Sequence, residues 1–137
     1  MKLKLQDKGG AQPLYCLPDN INLGQVVWSG FDGHDYEIFL YDGVEIIQLS
    51  NNDDTDLRPV INDNGQVVWE HSLYGLYRYD DNGIDQFSNN YKDLKPDINS
   101  REQVVWEADL GDKEILFFDG SKLIQLSDNI NDDFNPH

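Results

Sequence analysis

Gln25-Val26-Val27-Trp28 returns as Gln66-Val67-Val68-Trp69 and again as Gln103-Val104-Val105-Trp106. The tryptophans lie 41 and 37 residues apart, and the flanks repeat with them. Ile-Asn stands ahead of each copy (Ile21-Asn22, Ile61-Asn62, Ile98-Asn99), itself preceded by Pro18, Pro59 or Pro96. Behind each copy comes an aromatic run closed by turn residues: Ile38 to Gly43, Leu76 to Gly83, and Ile115 to Gly120. A shorter run then ends in serine: Ile47-Gln48-Leu49-Ser50, Asp85-Gln86-Phe87-Ser88 and Ile124-Gln125-Leu126-Ser127. Motifs recurring three times in fixed order at a period of about 40 residues mark a tandem repeat.

Each unit predicts four short strands, a to d. Strand a carries Ile-Asn, and a tight turn leads into strand b, Gln-Val-Val-Trp. The turn holds Asp63-Asn64-Gly65 in the second unit, Leu23-Gly24 in the first and Ser100-Arg101-Glu102 in the third. Strand c is apolar on both faces and should be covered on both. Strand d alternates, with Ile47 and Leu49 on one side and Ile46 and Gln48 on the other, as suits an outer strand. Asp-Gly between c and d is a two-residue hairpin signal. Four antiparallel strands at this period make a β-propeller blade.

Composition agrees. The chain has 137 residues and a net charge of −16, and its acids are 20 Asp against 6 Glu, with 13 Asn besides. Asp and Asn close turns and disfavour helix interiors. The charge argues against a nucleic-acid partner, which needs Lys and Arg on phosphates, and against an anionic membrane surface. No apolar run approaches the ~20 residues of a membrane span, so membrane insertion is not expected. A hydrophobic fraction of 39% is too high for a disordered acidic tail. The one cysteine, Cys16, excludes an internal disulfide framework and a cysteine-built zinc site, and is read as a packed thiol.

These units resemble TolB-type, WD-repeat-like propeller blades, which run proline, strand, Asn/Asp-Gly turn, apolar strand, Asp-Gly loop, aromatic strand and a Leu-Thr/Ser ending. Pro59, Gly65, Asp32-Gly33, Ile38 to Gly43 and Leu49-Ser50 match, and the resemblance covers residues 18 to 127. It departs where Ile-Asn replaces Trp-Ser-Pro in strand a, in the short b–c connection Glu70 to Tyr74, and at Arg78 on strand c. The resemblance implies a location outside the cytoplasm, periplasmic or extracellular, and a role as protein-binding platform or hydrolase accessory domain. The opening Met1-Lys2-Leu3-Lys4-Leu5 is basic but lacks the ~7–15-residue apolar core of a signal peptide.

The expected layout is an N-terminal strand and lead-in at 1–17, blades at 18–50, 51–88 and 89–127, and a tail at 128–137 that resembles the start of a further blade. Leu3 to Gln6 resembles the end of a strand d. Three blades cannot close a ring, since propellers use typically 4 to 8. A second copy completing six blades as a homodimer, or further blades in a longer polypeptide, would close it. An unrelated small β-sandwich is the alternative architecture.

Strand alternation puts the b–c and d–a connections on one acidic end, with Asp32, His34 and Asp35; Asp53, Asp54 and Asp56; Glu70 and His71; Glu107, Asp109 and Asp112; and Asp128, Asp132 and Asp133. Calcium takes several hard oxygen ligands, and Asn52-Asp53-Asp54-Thr55-Asp56 is the run best suited to it, with Asp53, Asp54 and Asp56 as ligands. It lacks the Gly and distal Glu of an EF-hand, and a solvated acidic loop is the plainer account. His34 and His71 occupy corresponding loops of adjacent blades, but without a nucleophile at recognisable spacing they read as exposed loop histidines. Trp28, Trp69 and Trp106 read as blade-to-blade packing, with Trp69 the most enclosed, and Tyr74 is the aromatic placed to meet a ligand. A glycosidase carboxylate pair is disfavoured because no loop is elaborated beyond the repeat. The sequence thus points to a non-catalytic scaffold without cofactor, calcium aside. It would bind a protein or ligand through Asp32, His34, Asp35, His71, Tyr74, Asp109 and Asp112. The alternatives are half of a propeller hydrolase or a purely structural repeat fragment.

Overall fold

The computed structural model describes residues 24–90 and 92–137. The Leu3–Gln6 strand, Cys16 and the first Ile-Asn strand lie outside them. The described residues are all-β, with eleven strands and no helix. They form three antiparallel, blade-like sheets, as expected of a partial propeller. The first holds β1 (Val26–Phe31), β2 (Tyr36–Tyr41) and β3 (Ile46–Gln48) in that order. The second runs β4 (Asp56–Ile61), β5 (Val67–His71), β6 (Gly75–Asp80) and β7 (Gly83–Gln86). The third repeats it with β8 (Asp93–Ile98), β9 (Val104–Asp109), β10 (Lys113–Phe118) and β11 (Leu123–Gln125).

The Gln-Val-Val-Trp register explains the stacking. Trp28 pairs with Phe39, Trp69 with Tyr77 and Trp106 with Leu116 across the central strands. Side chains alternate along a strand, so Val67 and Trp69 turn to the first sheet and pack with Ile38, Leu40 and Leu49. Val68 and Leu76 turn the other way and pack with Val104, Trp106, Ala108 and Leu116 of the third. The core is therefore two interfaces between sheets. Trp69 is 1% exposed and Trp106 2%, while Trp28 is half-buried on the outer face of the first sheet.

In the second and third units the Asn and Gln of the motif hold the a–b turn together. Asn62 Oδ1 accepts the N–H groups of Asn64 and Gln66, and its amide donates to Gln66 Oε1 at 2.6 Å. Asn99 does the same for Arg101 and Gln103. Gly65 takes φ +78° in that turn, and Glu102 takes φ +63° at the matching position. A non-glycine residue there bears a cost of about 1–2 kcal/mol.

Two details differ from the sequence reading. The c–d connections of the outer sheets have four residues, 42–45 and 119–122, because Asp42 and Asp119 each accept two following amide N–H groups and widen the turn. A two-residue link occurs only in the middle sheet, where Asp80 pairs with Gly83. Strand a also begins earlier than Ile-Asn, at Asp56-Leu57-Arg58-Pro59 and Asp93-Leu94-Lys95-Pro96. A register shift falls after Leu57 and after Leu94, with Arg58 at φ +50° and Lys95 at φ +53°. Proline has no N–H for the ladder, so a bulge accommodates it.

Candidate functional site

Hydrogen bonds gather the b–c and d–a connections at one end of the sheets. Ser72 N–H donates to Thr55 O at 3.0 Å, Lys92 Nζ to Asp109 Oδ2 at 2.7 Å, and Lys113 N–H to Asp132 Oδ1 at 2.9 Å. The a–b turns meet at the opposite end, where the Asn62 and Asn64 amides donate to the carbonyls of Asn99 and Ser100.

The acidic end is built by a repeated latch. Glu37, the second residue of β2, is fully buried, accepts the Ser50 hydroxyl, and accepts Asn52 N–H at 2.6 Å. Glu114 makes the same two bonds with Ser127 and with Asn129, at 3.1 Å to the latter. Each serine Oγ also accepts a main-chain N–H of strand c, Ile38 at 2.9 Å and Ile115 at 2.8 Å. Burial pushes the Glu37 carboxyl above its usual range, and the Ser50 and Asn52 donors only partly offset this. The middle sheet has Gly75 in place of the glutamate, although Ser88 Oγ still accepts Leu76 N–H at 2.9 Å.

Behind the loops, Trp69 meets the aspartate that opens its strand a. Trp69 Nε1 donates to the buried Asp56 at 3.0 Å, and Asn52 donates to its other oxygen at 2.7 Å. In the third sheet the corresponding Trp106 Nε1 and Asp93 Oδ1 are both buried and carry no hydrogen bond. Both line a cavity of about 740 Å³ between the outer edges of the second and third sheets, with Arg78, Phe87, Phe118 and Lys122. Arg78, the polar residue on strand c, pairs there with Asp85 at 3.2 Å and lies 5.5 Å over the Phe87 ring. Burial holds Asp93 above its ordinary pKa, and the neighbouring polar groups of Ser88, Trp106 and Asn90 only partly offset this. An acid raised in the folded state binds protons more tightly there than when unfolded. Its contribution to stability is therefore lost as pH rises through the folded pKa. Asp93→Asn removes this ionisation, so its stability relative to wild type should improve between pH 4 and pH 7 in urea melts. A pH-independent difference would contradict the assignment.

A charged rail links successive sheets. Glu70 accepts Arg58 Nη1 at 2.7 Å and, from the next sheet, Lys95 N–H at 2.6 Å. Lys95 Nζ reaches Glu107 at 2.9 Å, and Glu107 also accepts Asn135 N–H at 2.8 Å. Asp133-Phe134-Asn135-Pro136 thereby repeats the positive φ before proline seen at Arg58 and Lys95, with Asn135 at φ +53°. Burial raises the Glu107 carboxyl, but the Asn135 N–H and the Lys95 ammonium outweigh it and leave it below the usual range. The sequence reading placed Glu70 and Glu107 among the loop acids. They are buried instead, and the signal was the Trp-Glu pair repeated beside Asp-Leu-Arg/Lys-Pro.

The sequence-predicted residues separate. Asp32 Oδ1 accepts the N–H groups of His34 and Asp35, which holds its pKa down. Asp35 is largely buried, and His34 is exposed with Nδ1 3.6 Å from the Asp35 carboxylate. His71 is not an exposed loop histidine. It closes β5, is 6% exposed, and stacks on Tyr77 and against Tyr74 with centroids 5.0 and 5.1 Å apart. Tyr74 itself is half exposed. Asp109 is held low by Lys92 and the Gly111 N–H, while the main-chain carbonyl of Asp112 closes the same turn on Leu110 N–H. Asp53, Asp54 and Asp56 do not converge: Asp53 is exposed, Asp54 lies 3.9 Å from His71, and Asp56 points inward to Trp69. Among the described residues, the metal-ligating groups that converge are Asp32, Asp35 and Glu37, each offering one carboxylate oxygen within 4.8 Å of those of the other two.

No family model matches the chain, and no curated protein matches it. Among the described residues, no helix is long and apolar enough to cross a membrane.

Proposed function

We propose that the chain is a non-catalytic propeller-blade module of the TolB or WD-repeat kind. Two copies close a six-bladed ring, and the acidic loop end is offered to a basic protein or ligand. One observation carries this reading: the outward faces of the first and third sheets repeat the positions that are buried between the sheets. Val26 is 39% exposed where Val67 and Val104 are 0% and 1%. Trp28 is half-buried where Trp69 and Trp106 are enclosed. On the other side, Val105 and Ile115 are half-buried where Val68 and Leu76 are fully buried. Seating the third sheet of one copy on the first sheet of another would reproduce the contact already made twice within the chain. Closure of the ring also stops growth into a filament.

The acidic end should capture a labelled Lys/Arg-rich peptide, with binding that weakens as NaCl screens it. Asp109→Asn with Asp112→Asn should weaken it further. No binding at low salt would sink the scaffold reading. Turnover of glycoside, peptide or ester substrates that disappears in Asp35→Ala or His34→Ala would assign the chain to the propeller hydrolases instead.

A further inference from the structure

We propose that Asp32, Asp35 and Glu37 form a divalent-cation site, suited to calcium, at the loop end of the first sheet. One carboxylate oxygen of each lies within 4.8 Å of one from each of the others. An acidic cluster alone does not make a site; the carboxylate of Asp35 is the second observation. Its side chain is nine-tenths buried, and neither of its oxygens has a hydrogen-bond donor. The neighbour of opposite character is His34 Nδ1 at 3.6 Å, on a side chain 71% exposed. A buried carboxylate without donors is expensive unless a cation or a proton compensates it.

The third sheet shows how the same corner is neutralised from within the chain. There Lys92 Nζ sits 2.7 Å from Asp109, and Lys113 stands beside Glu114 in sequence with its Nζ 4.0 Å from Glu107. Among the described residues of the first sheet and its loops there is no such resource, since no Lys or Arg occurs from Gly24 to Leu57. Tyr36 stands at the register position of Lys113, and the loop before it carries Asp32 and Asp35, whose charge a cation from solution would offset.

The donors are all carboxylate oxygens, which select a hard cation. Glu37 accepts one hydrogen bond on each oxygen, from Ser50 and from Asn52, and each oxygen keeps a further lone pair. Asp32 spends Oδ1 on the His34 and Asp35 amides, an arrangement that fixes the loop. Calcium accepts six to eight oxygens in flexible geometry, so main-chain carbonyls and waters can complete its shell. A bound cation would also tie the b–c loop to the Glu37 latch and hence to the start of the next sheet.

The test uses the whole chain with terbium and then calcium alone as probes. Terbium should show emission sensitised by nearby aromatics, Tyr36 being flanked by two of the ligands, and calcium should displace it. Calcium should raise the melting temperature beyond NaCl of equal ionic strength. Asp35→Asn, nearly isosteric, should weaken calcium binding at least tenfold, and Asp32→Asn should weaken it in the same direction. Circular dichroism confirms that each variant is folded. Asp54→Asn, in the neighbouring acidic loop, should leave the affinity unchanged. No calcium binding at 1 mM, unchanged affinity in folded Asp35→Asn, or loss confined to Asp54→Asn would each overturn the proposal.

Discussion

Trp69→Ala should cost the protein about 3–5 kcal/mol, the range for truncating a fully buried large aromatic. The indole is 1% exposed between the first and second sheets and packs with Ile38, Leu40 and Leu49. Its loss opens a cavity and also removes the donor to buried Asp56, 3.0 Å away. Trp69→Phe separates the two contributions: it keeps most of the packing and loses the hydrogen bond, which is worth about 1–3 kcal/mol when a charged acceptor is left buried. Trp28→Ala, at the same repeat position on an outer face, should cost less in the isolated chain. Urea melts of the three variants measure this directly. A loss below about 1 kcal/mol for Trp69→Ala would mean that the sheets do not enclose the residue as described.

Gly75→Ala should cost about 3 kcal/mol, although it adds a single methyl group. Gly75 sits at φ +90°, where a Cβ is strained at about 1–3 kcal/mol. An added Cβ would also lie 2.7 Å from Asn90 O and 2.7 Å from Ser88 Oγ, and the first of these is backbone that cannot step aside. Overpacking of this kind adds roughly 1–3 kcal/mol. By contrast, Gly33→Ala and Gly111→Ala, whose Cβ positions are open, should bear the strain without the collision. Equal losses in all three variants would remove the close approach of the Ser88–Asn90 segment from the account.

The contrast at Gly75 shows what the sequence makes legible. The four-strand unit and its stacking follow from Gln-Val-Val-Trp, because a period of two places Val67 and Trp69 on one face and Val68 on the other. The turn clamp was present as Ile-Asn followed four residues later by Gln. Three features were hidden for physical reasons. The bulges at Arg58 and Lys95 require left-handed φ before proline, which local preference argues against, and at Lys95 buried Glu70 holds the amide in that conformation. His71 looks like a loop residue in a polar stretch, but the short connection to Gly75 lets it extend β5 and stack on Tyr77. The convergence of Asp32 and Asp35 with Glu37 depends on the tight b–c turn that Asp32 closes on the His34 and Asp35 amides. Twenty aspartates in one chain give no means of singling those two out by spacing.

The central claim is that the outer sheet faces are interfaces of the same kind as the inner ones. Sedimentation equilibrium at moderate salt tests it most directly. The account predicts a discrete species of twice the chain mass. Added salt should tighten it, because each copy carries a net charge of −16 and screening relieves their repulsion. Phe117→Arg, on the outward face of the third sheet, should return it to single chains. A single-chain mass for the unaltered protein, with a cooperative melt and no binding of an apolar-surface dye, would contradict the claim.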